Sequence, residues 1–166
     1  MNTHATLGTK DLSIQYIDRP TVKVLIFNDR AKVLIINNGL LPGGGVEDGE
    51  EYLDALHRET MEELGINIAD VKEVGVVVQY RDFLKKKYVI NGYTARYLNS
   101  LGDTLPQDEG ESQFTYGWHE IHDAMELLDE SISRIENSPV QLDDSYQGKL
   151  FNLKTTHLLL RMFAKS

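Results

Sequence analysis

PGGGVEDGEEYLDALHRETMEELGI, residues Pro42 to Ile66, is the most informative stretch of this 166-residue chain. Its first residues break any regular element, because proline lacks a backbone donor and consecutive glycines disfavour helix and strand. Apolar residues then recur at helical spacing from about Glu50 to Leu64. Gly65 supplies the expected stop. The stretch therefore predicts a glycine-rich turn that leads directly into a helix.

Acidic residues are concentrated in the same stretch. Between Glu47 and Glu63 the chain has eight acids and one base, Arg58, so this window alone carries 1 − 8 = −7. The whole chain carries −9, from 17 basic and 26 acidic residues. Such a balance argues against binding to duplex nucleic acid, which needs basic residues to replace counterions. Concentrated like charges destabilise a fold unless cations neutralise them, and divalent metal ions would do so.

Three glutamates share one face of the predicted helix. At roughly 100° per residue, Glu62 and Glu63 follow Glu59 by about one turn, so their carboxylates are neighbours. Clustered carboxylate oxygens suit hard cations such as Mg²⁺ or Mn²⁺. Taken alone, the pattern also fits a solvated helix face, because glutamate favours helices. We expect the adjacent face to pack on a sheet through Leu53, Leu56, Thr60 and Leu64.

The glycines before this helix make the pattern specific. A glycine-rich turn lets backbone groups approach a phosphate or a metal ion, so Gly44 and Gly45 are candidate substrate-binding residues. The segment resembles the Nudix box: Gly, five residues, Glu, seven residues, Arg-Glu, an apolar position, any residue, Glu-Glu, any residue, Gly and an apolar position. Thr60 departs from the usual aliphatic position, which concerns packing rather than chemistry. The matching residues are Gly44, Glu50, Arg58, Glu59, Glu62, Glu63, Gly65 and Ile66.

The resemblance to the Nudix hydrolase family implies an α+β fold, specifically an α/β/α sandwich with a mixed central sheet. We expect one domain over residues 1–166, with a C-terminal helix at about 150–164. The resemblance also implies hydrolysis of a diphosphate linkage in a nucleoside diphosphate derivative. The implied cofactor is Mg²⁺, with Mn²⁺ as an alternative.

The resemblance further implies a set of metal ligands from the helix and the turn: Glu59, Glu63, Glu62 and the Gly43 carbonyl. Family members often add an acidic residue from a loop ahead of a late strand. Glu111 is the best candidate for that position and Glu109 is the next, although both also fit an acidic solvated loop.

A carboxylate must act as the general base in this chemistry. Glu59 is the first candidate and Glu50 the second, because the family itself varies. Arg58 stays protonated and cannot be a base. It lies one turn before Glu62, so we expect it to orient a carboxylate as part of the catalytic group.

The remaining chain alternates strands with few helices, which favours a mixed sheet covered by helices. The predicted strands are Thr21–Phe27, Ala31–Ile36, Val71–Tyr80, Tyr88–Leu98 and Phe114–Trp118. A further helix is predicted over Ile121–Glu136.

The sequence leaves the substrate open. Nucleoside triphosphates, including modified ones, are the default, and the partner is in any case a small nucleotide-like molecule. ADP-ribose is an alternative that the sequence weakens only slightly, because relatives acting on it often have a proline past the box and none lies between Pro42 and Pro106. Dinucleoside polyphosphates stay open. A non-catalytic nucleotide-binding domain is the other alternative, but degenerate members of that kind would have lost box glutamates.

Composition limits the cellular compartments in which we expect the protein. The chain has no cysteine, which fits a reducing compartment. Its first ten residues lack the apolar core of a signal peptide, and no apolar run approaches the roughly 20 residues that cross a bilayer. We therefore expect a cytoplasmic protein without membrane contact, and a homodimer is left open.

Overall fold

The computed structural model describes residues 3–37, 39–101, 115–138 and 143–166. Within these ranges the chain forms strands, helices and one short 3₁₀ turn at Asp82–Leu84. The strands are β1 (His4–Leu7), β2 (Ile17–Phe27), β3 (Val33–Ile36), β4 (Ile66–Arg81), β5 (Lys86–Ser100) and β6 (Tyr116–His119). The helices are α1 (Tyr52–Leu64), α2 (Ile121–Glu136) and α3 (Asp144–Ala164).

These strands form one mixed sheet in the order β1-β4-β5-β2-β3-β6. β1 runs parallel to β4 and β2 runs parallel to β5, whereas the other neighbours are antiparallel. The mixed central sheet expected from the sequence is therefore confirmed.

Helices cover both faces of this sheet. Successive residues of β2 point to opposite faces, so Val24 and Ile26 enter the core under α1, while Leu25 enters the other core. Leu56 of α1 packs on the first face, and Leu128 of α2 on the second, together with α3. The α/β/α sandwich is confirmed. No helix in the described part of the chain is long and apolar enough to span a bilayer.

Element ends differ from the sequence-based expectations where local geometry breaks the apolar pattern. β4 begins at Ile66, directly after the helix stop, instead of at Val71. Register shifts interrupt its pairing with β5 up to Gly75, and Asp70 has a φ of +55°, so the alternation of the first residues is lost. The predicted segments also leave out β1, the part of α3 before Leu150 and both ends of β5.

The predicted packing face of α1 is wrong at one position. Ala55, Leu56 and Thr60 are buried, and Leu64 packs against the same core. Leu53, however, is 49% exposed. It lies in the first turn of α1, where its side chain lines an open groove between the helix and β4 instead of packing in the core. Thr60 satisfies its hydroxyl within the helix, donating to the Leu56 carbonyl at 3.0 Å, which explains why a polar residue is accepted there.

Candidate active site

The glycine-rich turn is fastened to β2 by backbone hydrogen bonds. Val22 N–H donates to the Gly44 carbonyl at 2.9 Å, and Val24 N–H donates to the Pro42 carbonyl at 3.0 Å. Gly43 has a φ of +130°, and a Cβ on it would collide with the Val22 carbonyl, so only glycine fits. The turn is therefore fixed against the sheet before α1 begins.

Two glutamates of α1 meet this turn. A Cβ on Gly44 would lie 2.5 Å from the carboxylate carbon and both oxygens of Glu59, so this carboxylate fills the space that glycine leaves. Glu63 reaches the preceding residue, because its Oε2 accepts a 3.0 Å hydrogen bond from Gly43 N–H. α1 ends at Gly65, whose left-handed backbone caps the helix directly after these side chains.

Arg58 joins the carboxylates of the turn and the helix. Its Nε and Nη2 donate to the two oxygens of Glu50, at 2.8 and 3.0 Å, and Nη2 also donates to the Gly45 carbonyl at 3.0 Å. Its Nη1 donates to Glu59 at 2.8 Å and to Glu62 at 3.3 Å. One guanidinium therefore contacts three of the glutamates in the box and fixes their relative positions.

The two candidate bases differ in their electrostatic surroundings. The bidentate hydrogen bond from Arg58, assisted by Glu47 N–H at 2.9 Å, lowers the pKa of Glu50 to about 2. The same contact with Glu50 raises the pKa of Arg58. A carboxylate with so low a pKa is a weak proton acceptor near neutral pH. Glu59 has a single hydrogen bond from Arg58 and a side chain that is 14% exposed.

Two basic residues of β2 also meet the turn, and sequence reasoning missed both. Lys23 Nζ donates to the Gly43 carbonyl at 2.7 Å and to the Leu41 carbonyl at 3.0 Å. Burial lowers the pKa of Lys23, while Glu63 and Glu59 raise it. The Arg19 guanidinium lies 3.3 Å from where a Cβ on Gly45 would be. The available signal was a lysine inside the apolar run Thr21–Phe27.

The oxygen atoms of this cluster are suited to a hard divalent cation, because carboxylates on successive turns lie beside a backbone carbonyl. Within the described ranges, no three acidic or histidine side chains are placed to hold a metal ion as they stand. Protein donors engage them instead: Arg58 binds Glu59, Gly43 N–H binds Glu63, and Lys23 binds the Gly43 carbonyl. A cation beside the Gly43 carbonyl would take the place of the Lys23 ammonium, so the chemistry of the residues fits the group.

Of the remaining predicted metal-binding residues, the structure describes only Glu62. Glu62 touches the cluster through Arg58, and its side chain is 53% exposed. Glu111 and Glu109 lie outside the described residues. Their proposed part in metal binding therefore stays a prediction.

Two features together define the class of this protein. One is the mixed sheet between two layers of helices, and the other is the glycine-rich turn that contacts the glutamates of α1. A family model described as NUDIX domain matches residues 18–137. The chain therefore belongs to the Nudix family, as the box in the sequence indicated.

Curated relatives match only part of the chain. An RNA pyrophosphohydrolase of Halorhodospira halophila is 40% identical over 62 residues, which are 34% of this chain and 34% of that protein. A protein of the same name from Helicobacter pylori strain G27 is 35% identical over 65 residues, 34% of this chain and 39% of that protein. The chain thus spans little more than a third of the length of these relatives.

Among solved structures, the crystal structure of a MutT NUDIX hydrolase from Burkholderia pseudomallei is similar. Its TM-score is 0.50 at 20% sequence identity, and the match covers 82% of this chain and 98% of that one. At that identity the likeness shows the fold alone.

Proposed function

We propose that this chain is a metal-dependent hydrolase that cleaves a diphosphate linkage in a nucleotide derivative. The observation that carries the proposal is the contact of the Gly43–Gly44 turn with the carboxylates of Glu59 and Glu63. This contact places carboxylate oxygens, a backbone carbonyl and glycine backbone at one point. A diphosphate and a divalent cation need that combination.

Each proposed role follows from a contact of the chain itself. Glu59, Glu62, Glu63 and the Gly43 carbonyl would hold Mg²⁺, with Mn²⁺ as an alternative. When bound, Mg²⁺ supplies charge neutralisation and alignment for the diphosphate and activation for the attacking water. Lys23 would release the Gly43 carbonyl, and its ammonium then lies beside the anionic substrate.

Proton transfer is assigned to Glu59 in preference to Glu50. The pKa of Glu50, at about 2, leaves it a poor base near neutral pH, because Arg58 binds both of its oxygens. Arg58 keeps its proton and positions Glu59 through the 2.8 Å hydrogen bond. Gly45, with the Arg19 guanidinium beside it, is proposed to meet a phosphate of the substrate.

We propose two candidate classes of substrate. A nucleoside triphosphate, including a modified one, is the first candidate. The relatives named RNA pyrophosphohydrolase make a 5′-triphosphorylated RNA end the second. Both present the same diphosphate linkage to the cluster, so the cluster itself does not choose between them.

A substrate panel tests the proposal. Purified protein with Mg²⁺ is offered nucleoside triphosphates, oxidised nucleoside triphosphates, ADP-ribose, a dinucleoside polyphosphate and a short 5′-triphosphorylated RNA. Phosphate, pyrophosphate and the nucleotide product are measured. Turnover of one class supports hydrolysis and identifies the leaving group. Binding without turnover across the panel would favour a non-catalytic nucleotide-binding domain instead.

A further inference from the structure

A small cavity lies between the sheet and α3, on the other side of the sheet from α1. Its volume is about 60 Å³, which admits a few water molecules or the edge of a planar ring. Lys23 lines this cavity and also donates to the Gly43 carbonyl, so one side chain joins the cavity to the glycine-rich turn. The other lining residues are Leu40, Leu41, Ile90, Asn152, Thr155 and Thr156.

A hydrogen-bond network from β4 holds the Asn152 amide in one orientation. Arg81 Nη2 donates to the Asn152 side chain at 2.9 Å, and because a guanidinium cannot accept, the atom that it contacts is the amide oxygen. Arg81 Nε donates to Gln79 Oε1 at 3.0 Å, and Gln79 Nε2 donates in turn to Thr155 Oγ1 at 2.8 Å. Asn152 therefore cannot exchange its amide oxygen and nitrogen without placing two donors against each other.

The network is itself held by packing. The guanidinium of Arg81 lies 4.6 Å from the centroid of the Tyr88 ring. α3 has a glycine where it passes this guanidinium, because a Cβ on Gly148 would lie 3.0 Å from Nη1 of Arg81. Gln79 is fully buried. Buried groups with satisfied partners form a rigid polar unit, so the orientation of Asn152 is a fixed property of the cavity.

This orientation gives the cavity hydrogen-bond donors. The amide oxygen of Asn152 is engaged by Arg81, and its Nδ2 has no acceptor in the part of the chain that the structure describes. The hydroxyl of Thr155 accepts from Gln79, so its proton is the part left to donate. Thr156 instead donates within α3, to the backbone carbonyl of Asn152 at 3.3 Å. The fixed donor that a ligand meets is therefore the Asn152 amide nitrogen.

The rest of the lining favours a planar ring over an anion. Leu40, Leu41 and Ile90 are apolar, and the ammonium of Lys23 already donates to two backbone carbonyls. An apolar cavity with a few fixed polar groups suits an aromatic base that hydrogen-bonds along one edge. Guanine has two acceptors on such an edge, O6 and N7, whereas adenine has the N6 amino donor in place of O6. An amino group would meet the Asn152 amide nitrogen donor to donor.

We propose that this cavity binds the 6-oxo edge of a purine base, with Asn152 Nδ2 donating to the 6-oxo group, so that 6-oxopurine nucleotides are selected over adenine nucleotides. Arg81 is a positioning residue, because it acts only by holding the Asn152 amide. This inference rests on the proposed hydrolysis of a nucleotide, since a phosphate chain at the Gly43 turn brings the attached base to the neighbouring cavity.

Hydrolysis of inosine triphosphate and of ATP in Mg²⁺ tests the selection, because the two bases differ only in the 6-oxo or 6-amino group and the N1 proton that accompanies the former. The parent should have a kcat/KM for inosine triphosphate at least about tenfold above that for ATP. Asn152→Asp keeps an oxygen for Arg81 and replaces Nδ2 by an acceptor, so the preference should reverse.

Asn99→Asp is the matched control for this substitution. Asn99 is exposed on β5, and an aspartate oxygen there still accepts from Asn67 Nδ2. Its ratio of the two kcat/KM values should equal that of the parent. A reversal in both variants would show that added negative charge, and not the Asn152 amide, changes the preference.

Arg81→Met tests the positioning role. It should lower the ratio at least about threefold, because the freed amide can turn its oxygen toward the 6-amino group of ATP. Both substrates are measured on one preparation, so a loss of folded protein lowers both rates and leaves the ratio unchanged. A parental ratio in Arg81→Met would overturn the role of Arg81.

Calorimetric binding of inosine monophosphate and AMP separates base selection from hydrolysis. The parent should bind inosine monophosphate about tenfold more tightly, and Asn152→Asp should lose this advantage. If this binding pattern appears without turnover of any nucleotide, base selection stands and the proposed hydrolysis fails. Turnover with equal kcat/KM for both triphosphates, or a preference that Asn152→Asp leaves unchanged, would overturn base selection while hydrolysis stands. Absence of both binding and turnover would overturn both.

Discussion

Replacing Gly44 by alanine adds one methyl group at the contact between the turn and α1. That methyl would lie 2.5 Å from the Glu59 carboxylate, whereas ordinary contacts of this kind are 3.4–4 Å. Glu59 must therefore shift by about 1 Å, and a misplacement of that size costs about 10²-fold in rate. We expect Gly44→Ala to lower kcat about 10²-fold.

Stability should change much less, because the clash involves the flexible end of a side chain. Moving Glu59 breaks its 2.8 Å hydrogen bond with Arg58, which costs about 1.5 kcal/mol. For a domain of this size, such a loss lowers Tm by about 3–6 °C. The folded fraction at assay temperature should therefore be nearly unchanged.

Steady-state kinetics and thermal melting on the same preparations measure both effects. Gly49→Ala is the matched control, because a Cβ there meets no atom within 4 Å. Its backbone is left-handed at φ +79°, so alanine costs about 1–2 kcal/mol there while kcat stays parental. Parental kcat in Gly44→Ala, or an equal loss in Gly49→Ala, would refute the reasoning.

Three other substitutions separate chemistry from packing. Glu63→Gln should keep the parental Tm within about 2 °C, because an amide oxygen still accepts from Gly43 N–H. Its kcat should nevertheless fall about 10²–10³-fold. Parental turnover in this variant would contradict the proposed role of Glu63. Leu56→Ala, at a fully buried position, should lower the free energy of unfolding in chemical denaturation by about 2–5 kcal/mol. Leu53→Ala, at a half-exposed position, should lower it by less than about 0.5 kcal/mol. Equal losses would contradict the difference in burial between the two leucines. Lys23→Met should lower the free energy of unfolding by about 1–3 kcal/mol, because two buried carbonyls lose their hydrogen-bond donor. A variant more stable than the parent would show that the cost of burying the ammonium exceeds the stabilisation from these hydrogen bonds.

α1 and the sandwich could be predicted because their signals are local. Helical spacing of apolar residues and a closing glycine are written within one segment, and the observed helix Tyr52–Leu64 follows them. The burial of Leu53 was predicted wrongly because periodicity locates a helix face, but it does not show that a groove opens beside the first turn of that helix. β1 has only four residues, too few for a periodic pattern to stand out.

The contacts of the site depend on the three-dimensional path of the turn, which spacing alone does not give. Arg58 and Glu50 are eight residues apart, and only the docked turn brings them to 2.8 Å. Lys23 interrupts an apolar strand, and a polar residue in a strand ordinarily points to solvent. Its side chain is instead partly buried, because the turn supplies two carbonyl acceptors that the sequence pattern does not place.

Metal removal and restoration measures the proposed role of the box glutamates most directly. The best substrate of the panel is incubated with the parent and with Glu59→Gln in Mg²⁺, in excess EDTA, and after Mg²⁺ is resupplied. Glu130→Gln controls for loss of a remote acidic charge on α2. We expect parental turnover that vanishes with EDTA and returns with Mg²⁺. We expect turnover of Glu59→Gln in Mg²⁺ to be at least about 10²-fold below that of the parent in Mg²⁺. Undiminished turnover of the parent in EDTA, or of Glu59→Gln in Mg²⁺, would contradict it.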